Sequence, residues 1–174
     1  MIENKKIAVL LAKMHEENEF WYPAIRLREA GATVVIVGIE ANTEYKGKHG
    51  LPAKSERSFR EVSASDFDGV VIPGGFGPDS LRQSKEYLDF VRELAHHGKM
   101  VAFICHAGWV PISAGIMKGR KATSVNAIKD DMVNAGCKWE DSALVVDRNM
   151  ITSRTPEDLP DFMKGVIAWL NGKK

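Results

Sequence analysis

Met100-Val-Ala-Phe-Ile-Cys-His-Ala-Gly108 is the stretch on which the reading of this chain turns. Residues 100–104 are a continuous apolar run of strand length, as expected of a strand buried on both faces. The run stops at Cys105, and a helix-like segment begins. Gly108, three residues on, is read as the side-chain-free position of a tight strand-to-helix turn. Such a turn is a nucleophile elbow: it lifts one side chain above the sheet and aims a helix N-terminus at it. Backbone N–H groups and the helix dipole favour an anion there, so the Cys105 thiol is expected to ionise readily. The competing interpretation is a small residue closing a core strand. His106 and Gly108 weaken it, although adjacent residues do not directly face each other and Cys-His alone does not make a dyad.

Working outward, residues 7–12, 33–37 and 69–72 read as further buried strands. A helix follows His15-Glu-Glu-Asn18, with Phe20, Ala24 and Leu27 on one face, Pro23 in its first turn and Gly31 as its stop. Residues 41–62 change to Lys, Gly and Ser with short β-prone pieces, the pattern of an excursion carrying a hairpin. Tyr87, Phe90, Val91, Leu94 and Ala95 mark an amphipathic helix ended by Gly98. Residues 126–135 read as another helix, and 143–146 with 150–153 as two late strands. The last helix starts at Thr155-Pro-Glu-Asp158 and buries Phe162, Val166, Trp169 and Leu170. Strands alternating with helices imply one α/β domain over residues 1–174, a mostly parallel sheet covered on both faces. Ligands of such sheets bind beyond the C-terminal ends of the strands. Residues 13–19, 73–80 and 105–108 occupy such ends and are expected on one rim.

Composition narrows the function classes. The 174 residues carry a net charge of +1, with 44% hydrophobic and 27% charged residues, which is ordinary for a soluble globular protein. This balance gives no electrostatic reason to expect nucleic acid or an anionic membrane as partner. Lys46, Lys48, Arg120 and Lys121 read as solvated loop residues. No stretch is long enough to span a bilayer, and the start lacks the pattern of a secretory signal. Cys105 and Cys137 make no disulfide framework, so a reducing, cytoplasmic location with free thiols is expected.

Several residues near the rim have the chemistry to serve a cysteine. Glu16 and Glu17 read as a solvated acidic helix start. Glu19 differs because Phe20-Trp-Tyr22 follows it: a carboxyl held against such surroundings has a raised pKa and can stay protonated beside a thiolate. Pro73-Gly-Gly-Phe-Gly-Pro78, with Gly74 and Gly75, offers backbone N–H groups for an oxyanion hole. As a dinucleotide fingerprint the same segment fails, lacking the third glycine and containing Pro78. His96 and His97 read as helix-capping residues and His49 as a loop residue. No group of residues has metal-site spacing. Trp109 either walls the pocket or packs in the core.

Taken together, Glu19-Phe-Trp-Tyr-Pro23, Gly47-Lys-His-Gly50, Val71-Ile-Pro-Gly-Gly75, Ala102-Phe-Ile-Cys-His106, Ile112-Ser-Ala-Gly115, Lys129-Asp-Asp-Met132 and Thr152-Ser-Arg154 closely resemble the DJ-1/PfpI superfamily, in its PfpI-like branch. They run in order along nearly the whole chain. The resemblance implies a flavodoxin-like three-layer sandwich with a nucleophile at Cys105. It also implies that Glu19 contacts the sulfur and that the Gly75 and His106 amides face the substrate oxygen. Relatives are described as intracellular cysteine peptidases and as glyoxalases or deglycases. The family's proposed triad takes an acid from a neighbouring subunit after Pro-Gly-Gly, here Asp79, one methylene shorter than the usual glutamate. Trp109 is bulkier than the usual elbow continuation. Both departures weigh against large peptide substrates.

The leading expectation is a cofactor-free cytoplasmic enzyme, dimeric or larger, that acts on small reactive carbonyls or glycated proteins through a Cys105 thiolate, with Glu19 moving the proton. A peptidase using Cys105, His106 and Asp79 is the enzymatic alternative. A redox sensor or chaperone-like stress protein, in which the thiol is oxidised without turnover, is the non-enzymatic one.

Overall fold

The computed structural model describes residues 1–172. Its centre is a sheet whose buried strands follow the apolar runs: β1 (Lys6–Leu10), β2 (Thr33–Gly38), β6 (Gly69–Ile72), β7 (Met100–Ile104) and β11 (Met150–Ser153). The excursion after β2 carries a small antiparallel hairpin, β3 (Glu44–Lys46) with β4 (Pro52–Lys54), and then returns to the main sheet through β5 (Arg57–Ser58). Between β7 and β11, β8 (Lys121–Ala122) and β9 (Lys138–Trp139) pair with each other, while β10 (Val145–Asp147) turns back antiparallel on β11. The order across the large sheet is β10-β11-β7-β6-β1-β2-β5. All its pairings except β10–β11 are parallel.

Side chains alternate across a strand, so each buried strand feeds two cores. Ala8, Leu10, Val70, Ile72, Val101 and Phe103 face one of them. Ile7, Val9, Val71, Ala102 and Ile104 face the other. The first core is closed by α3 (Lys85–His96), α4 (Trp109–Ser113) and α5 (Lys129–Asn134), with Phe90, Leu94, Val110 and Met132 buried. The second is closed by α1 (Glu17–Glu29) and α6 (Leu159–Leu170), through Phe20, Leu27, Phe162 and Val166. This is the expected three-layer, flavodoxin-like sandwich. Among the described residues no helix is long and apolar enough to cross a membrane.

Four local expectations are corrected. Helix α1 starts at Glu17, so Pro23 lies inside it rather than in its first turn, and Glu19 loses the N–H partner of its carbonyl. The segment after β7 is a 3₁₀ turn over Cys105–Gly108 before the five-residue α4, not a long helix. Residues 126–135 likewise divide into a 3₁₀ turn, Asn126–Ile128, and α5. Finally, Gly108 has an ordinary helical φ of −54°; a Cβ there would sit 2.8 Å from Met132 Sδ, so packing rather than turn geometry excludes a side chain.

The chain runs from β1 outward to β2, then crosses to β6 on the other side of β1. The crevice between the C-terminal ends of β1 and β6 is therefore the topological switch point of the sheet, the place where such folds bind ligands. The loops leaving the two strands are stitched together there. His15 and Gly75 form an antiparallel bridge, Glu16 N–H donates to the Gly74 carbonyl at 3.2 Å, and Phe76 N–H donates to the Met14 carbonyl at 2.9 Å. A third loop joins them when Lys48 N–H donates to the His15 carbonyl at 3.0 Å.

Candidate active site

Cys105 stands where β7 ends, next to this crevice. Its φ is +62°, the left-handed region that residues with a Cβ seldom adopt. In this strained conformation the half-buried Cys105 sits at the edge of the second core. The next side chain lies beside it: Cys105 Sγ and His106 Nδ1 are 3.3 Å apart. Adjacency, which argued against a direct Cys–His contact, is overcome by the left-handed turn.

Glu19 lies on the first turn of α1 and is fully buried. Its Oε2 accepts the Gly74 N–H at 2.7 Å, while Oε1 has no hydrogen-bond partner among the described residues. The carboxyl lies beside Cys105, close enough for the acid and the thiol to affect each other's titration. Gly74 permits this approach, since a Cβ there would lie 2.5 Å from Glu19 Oε2 and 2.8 Å from Cys105 Cβ. The Gly74 amide was expected in an oxyanion hole. Because it is committed to Glu19, it is not free for a substrate oxygen. The His106 and Gly75 N–H groups act on the thiol instead, favouring its anion.

The electrostatics differ from the simple elbow picture. Burial, and then the charge of Glu19, push the Cys105 thiol up to about 12, although the His106 and Gly75 N–H groups oppose the rise. The expected help of a helix dipole is missing because a four-residue 3₁₀ turn and a five-residue helix align few peptides. Burial likewise pushes Glu19 up to about 8. Two anions side by side in a buried site repel strongly, so the pair carries at most one charge near neutrality. A thiolate forms here only while Glu19 keeps its proton. His106 is held below its usual value by burial and by the nearby charge of Lys48.

The rim contains what the elbow does not. Trp109 stacks edge-on against His106, with ring centroids 5.4 Å apart, and its Nε1 donates to Asp131 Oδ2 at 2.8 Å; Arg82 lies over its indole. The ring thus both walls the site and packs. Asp79 is exposed on α2 (Gly77–Leu81), and within this chain its carboxylate makes no hydrogen bond to His106 among the described residues. His97 caps α3 as expected, its Nδ1 lying 2.8 Å from the Glu93 carbonyl. Cys137 is buried in the first core.

Glu16 and Glu17 are not solvated; both are buried. Glu16 Oε1 caps Asn18 N–H at 3.3 Å, and its Oε2 meets Lys48 Nζ at 2.6 Å. Glu17 accepts the His49 backbone N–H at 2.6 Å and lies 2.9 Å from its ring Nδ1. Lys48, read from the sequence as a solvated loop residue, is thus paired with a buried acid at the crevice. The available signal was two successive acids before α1 and two successive basic residues in the hairpin loop. Pairing them across 32 positions requires the fold.

Fold and site together define a small α/β protein that carries a cysteine on a strand-end elbow with a buried carboxyl against its sulfur. The chain belongs to the DJ-1/PfpI family, whose model matches residues 5–168. It is 41% identical over 165 residues to "Deglycase PH1704" of Pyrococcus horikoshii, covering 95% of this chain and 99% of that one. It is also 41% identical to "Putative cysteine protease YraA" of Bacillus subtilis, covering 91% and 94%. Among solved structures it superposes with a TM-score of 0.94 and 43% identity on a two-domain Anabaena variabilis protein described as containing DJ-1/ThiJ/PfpI-like and ferritin-like domains. That match covers 96% of this chain and spans half of the Anabaena protein.

Proposed function

We propose that this protein is a cofactor-independent cysteine enzyme acting on reactive carbonyls: glyoxal, methylglyoxal or the adducts they leave on proteins. The observation that carries this reading is the fully buried Glu19 carboxyl held beside Cys105 by the Gly74 N–H. The likeness to a protein named a deglycase supports the same reading. Cytoplasmic location and assembly into dimers or larger oligomers are parts of the proposal.

In this mechanism the thiolate adds to an aldehyde carbon while Glu19 holds its proton. The C=O electron pair moves onto oxygen, where the Gly75 and His106 N–H groups stabilise it. Protonation gives a hemithioacetal. With methylglyoxal, ionised Glu19 removes the proton from the former aldehyde carbon and returns it to the neighbouring carbon, which leaves a thioester of a 2-hydroxy acid. Water then cleaves the thioester, releasing lactate and the thiol. One water is consumed and no external oxidant or reductant is needed. A carboxyl titrating near 8 is well placed to hold and release that proton near neutral pH.

The 3.3 Å contact of Cys105 Sγ with His106 Nδ1 favours one second reading, a peptidase in which Asp79 of a neighbouring copy orients His106. Wild type and Cys105→Ala, assayed side by side on methylglyoxal and on a fluorogenic peptide, separate the two. The proposal expects methylglyoxal turnover by the wild type and none by the variant. Peptide cleavage without methylglyoxal turnover transfers the assignment to the peptidase. Equal methylglyoxal turnover by the two proteins overturns the role of Cys105.

A further inference from the structure

The reaction above leaves one charged residue at the crevice unused. Lys48 sits in the turn of the β3–β4 hairpin, and its backbone is fixed by the bond from its N–H to the His15 carbonyl and by the hold of Glu17 on His49. Its Nζ meets Glu16 Oε2 at 2.6 Å; the Lys48 side chain is 32% exposed and that of Glu16 4%. Glu16 is bound in turn to the segment that carries the site, through its N–H on the Gly74 carbonyl. A lysine ammonium carries three donors, and Glu16 Oε2 is the only acceptor Nζ has among the described residues. The remaining donors are open to a molecule entering the crevice. Gly74 in turn is packed on Cys105, a Cβ there lying 2.8 Å from Cys105 Cβ, so this chain of contacts brings the ammonium to the site.

We propose that Lys48 is a substrate-recognition residue that binds the oxygen-bearing group on the carbon next to the one Cys105 attacks. The site would then prefer electrophiles with an adjacent keto oxygen or carboxylate, that is 1,2-dicarbonyls and 2-oxo acid derivatives, over simple aldehydes. The Gly75 and His106 amides receive the first oxygen, and the ammonium receives the second. Glu16 positions the cation and leaves it partly unneutralised. The inference rests on the Cys105 reaction proposed above, but its test does not require carbonyl turnover.

Iodoacetate and iodoacetamide offer the same carbon to the sulfur, which displaces iodide in both. They differ in that one carries a carboxylate beside that carbon and the other a neutral amide. Alkylation of Cys105 is followed by mass spectrometry in wild type, Lys48→Met and Lys48→Arg at one pH. The Met variant is expected to lose about tenfold in the iodoacetate rate, the factor one charge-assisted hydrogen bond supplies, with much less change for iodoacetamide. The Arg variant is expected to keep most of the iodoacetate preference. Equal losses with both reagents would show that Lys48 only assists ionisation of the thiol, and unchanged rates would show that it is a bystander; either result overturns the proposal. Selective loss of iodoacetate reactivity in Lys48→Met, together with a wild type that turns over no methylglyoxal, would sink the proposed enzyme and leave the anion site standing.

Discussion

Glu19 Oε2 accepts the Gly74 N–H at 2.7 Å, so the carboxyl beside the sulfur is aligned by the loop after β6 rather than by its own helix. The consequence is an asymmetric carboxyl. Oε2 faces a donor and cannot also carry the proton comfortably, whereas Oε1 is buried with no hydrogen-bond partner among the described residues. The proton of neutral Glu19 therefore belongs on Oε1. One backbone amide thus decides both the orientation of the carboxyl and the place of its proton.

This arrangement makes folding stability depend on pH. The ordinary carboxyl value is 4.5, and burial raises Glu19 to about 8 in the folded protein. Between those values the unfolded chain has released the proton and the folded chain still binds it. Stability accordingly falls as pH rises through this window, by about 1.4 kcal/mol per pH unit at most. Glu19→Gln keeps an acceptor for Gly74 but does not titrate. Urea denaturation at about pH 5 and about pH 7.5 is expected to show the Gln variant gaining on wild type by on the order of 2 kcal/mol between the two conditions. Parallel pH profiles for the two proteins would mean that Glu19 titrates as an ordinary surface carboxyl.

The left-handed backbone at Cys105 has its own signature. A residue with a Cβ at φ +62° is strained by about 1 kcal/mol or more, and glycine is not. Cys105→Gly and Cys105→Ala both remove the sulfur, yet the glycine variant is expected to be the more stable by about 1 kcal/mol, the reverse of the usual order. Their urea midpoints, compared at constant m-value, measure the difference. An alanine variant equal to or more stable than the glycine variant would show that the elbow relaxes once the thiol is gone.

The parts of this molecule that were legible in the sequence are those set by periodicity and by general rules of sheet topology. Ala8 and Leu10 against Ile7 and Val9 could be assigned to a strand buried on both faces because alternation and continuous hydrophobicity are local properties. The meeting of residues 13–19, 73–80 and 105–108 followed from the rule for strand ends. What was not legible depends on which donor a given acceptor finds across space. The Gly74 amide reads equally well as a substrate donor until Glu19 is seen to occupy it. Glu16 and Glu17 look like a solvated helix start until the hairpin loop folds over them. Gly108 and Cys105 differ for a similar reason: the sequence assigns the demands of the tight turn to the glycine, but the fold puts the left-handed backbone on the cysteine and uses the glycine for packing against Met132.

The last prediction concerns the loop that carries Lys48. Gly47 presses so closely on Glu17 that a Cβ would lie 2.4 Å from Oε1, and both oxygens of the carboxylate are engaged by His49. Burial raises the Glu17 pKa, but hydrogen bonds from its own N–H and from His49 outweigh that and hold it below the usual carboxylate value. A depressed carboxyl contributes stability that is present above its unfolded value of 4.5 and is lost as pH falls through the folded one. Glu17→Gln keeps the shape but loses the charge, and because the His49 ring is largely exposed only the backbone bond retains most of its strength. A loss of about 1 kcal/mol near neutral pH is expected, shrinking toward zero in acid. Hydrogen exchange at the His49 amide should quicken in the same variant while the β7 amides remain protected. Unchanged exchange at His49 would show that the loop is held by its other contacts, chiefly the bond from Lys48 N–H to His15.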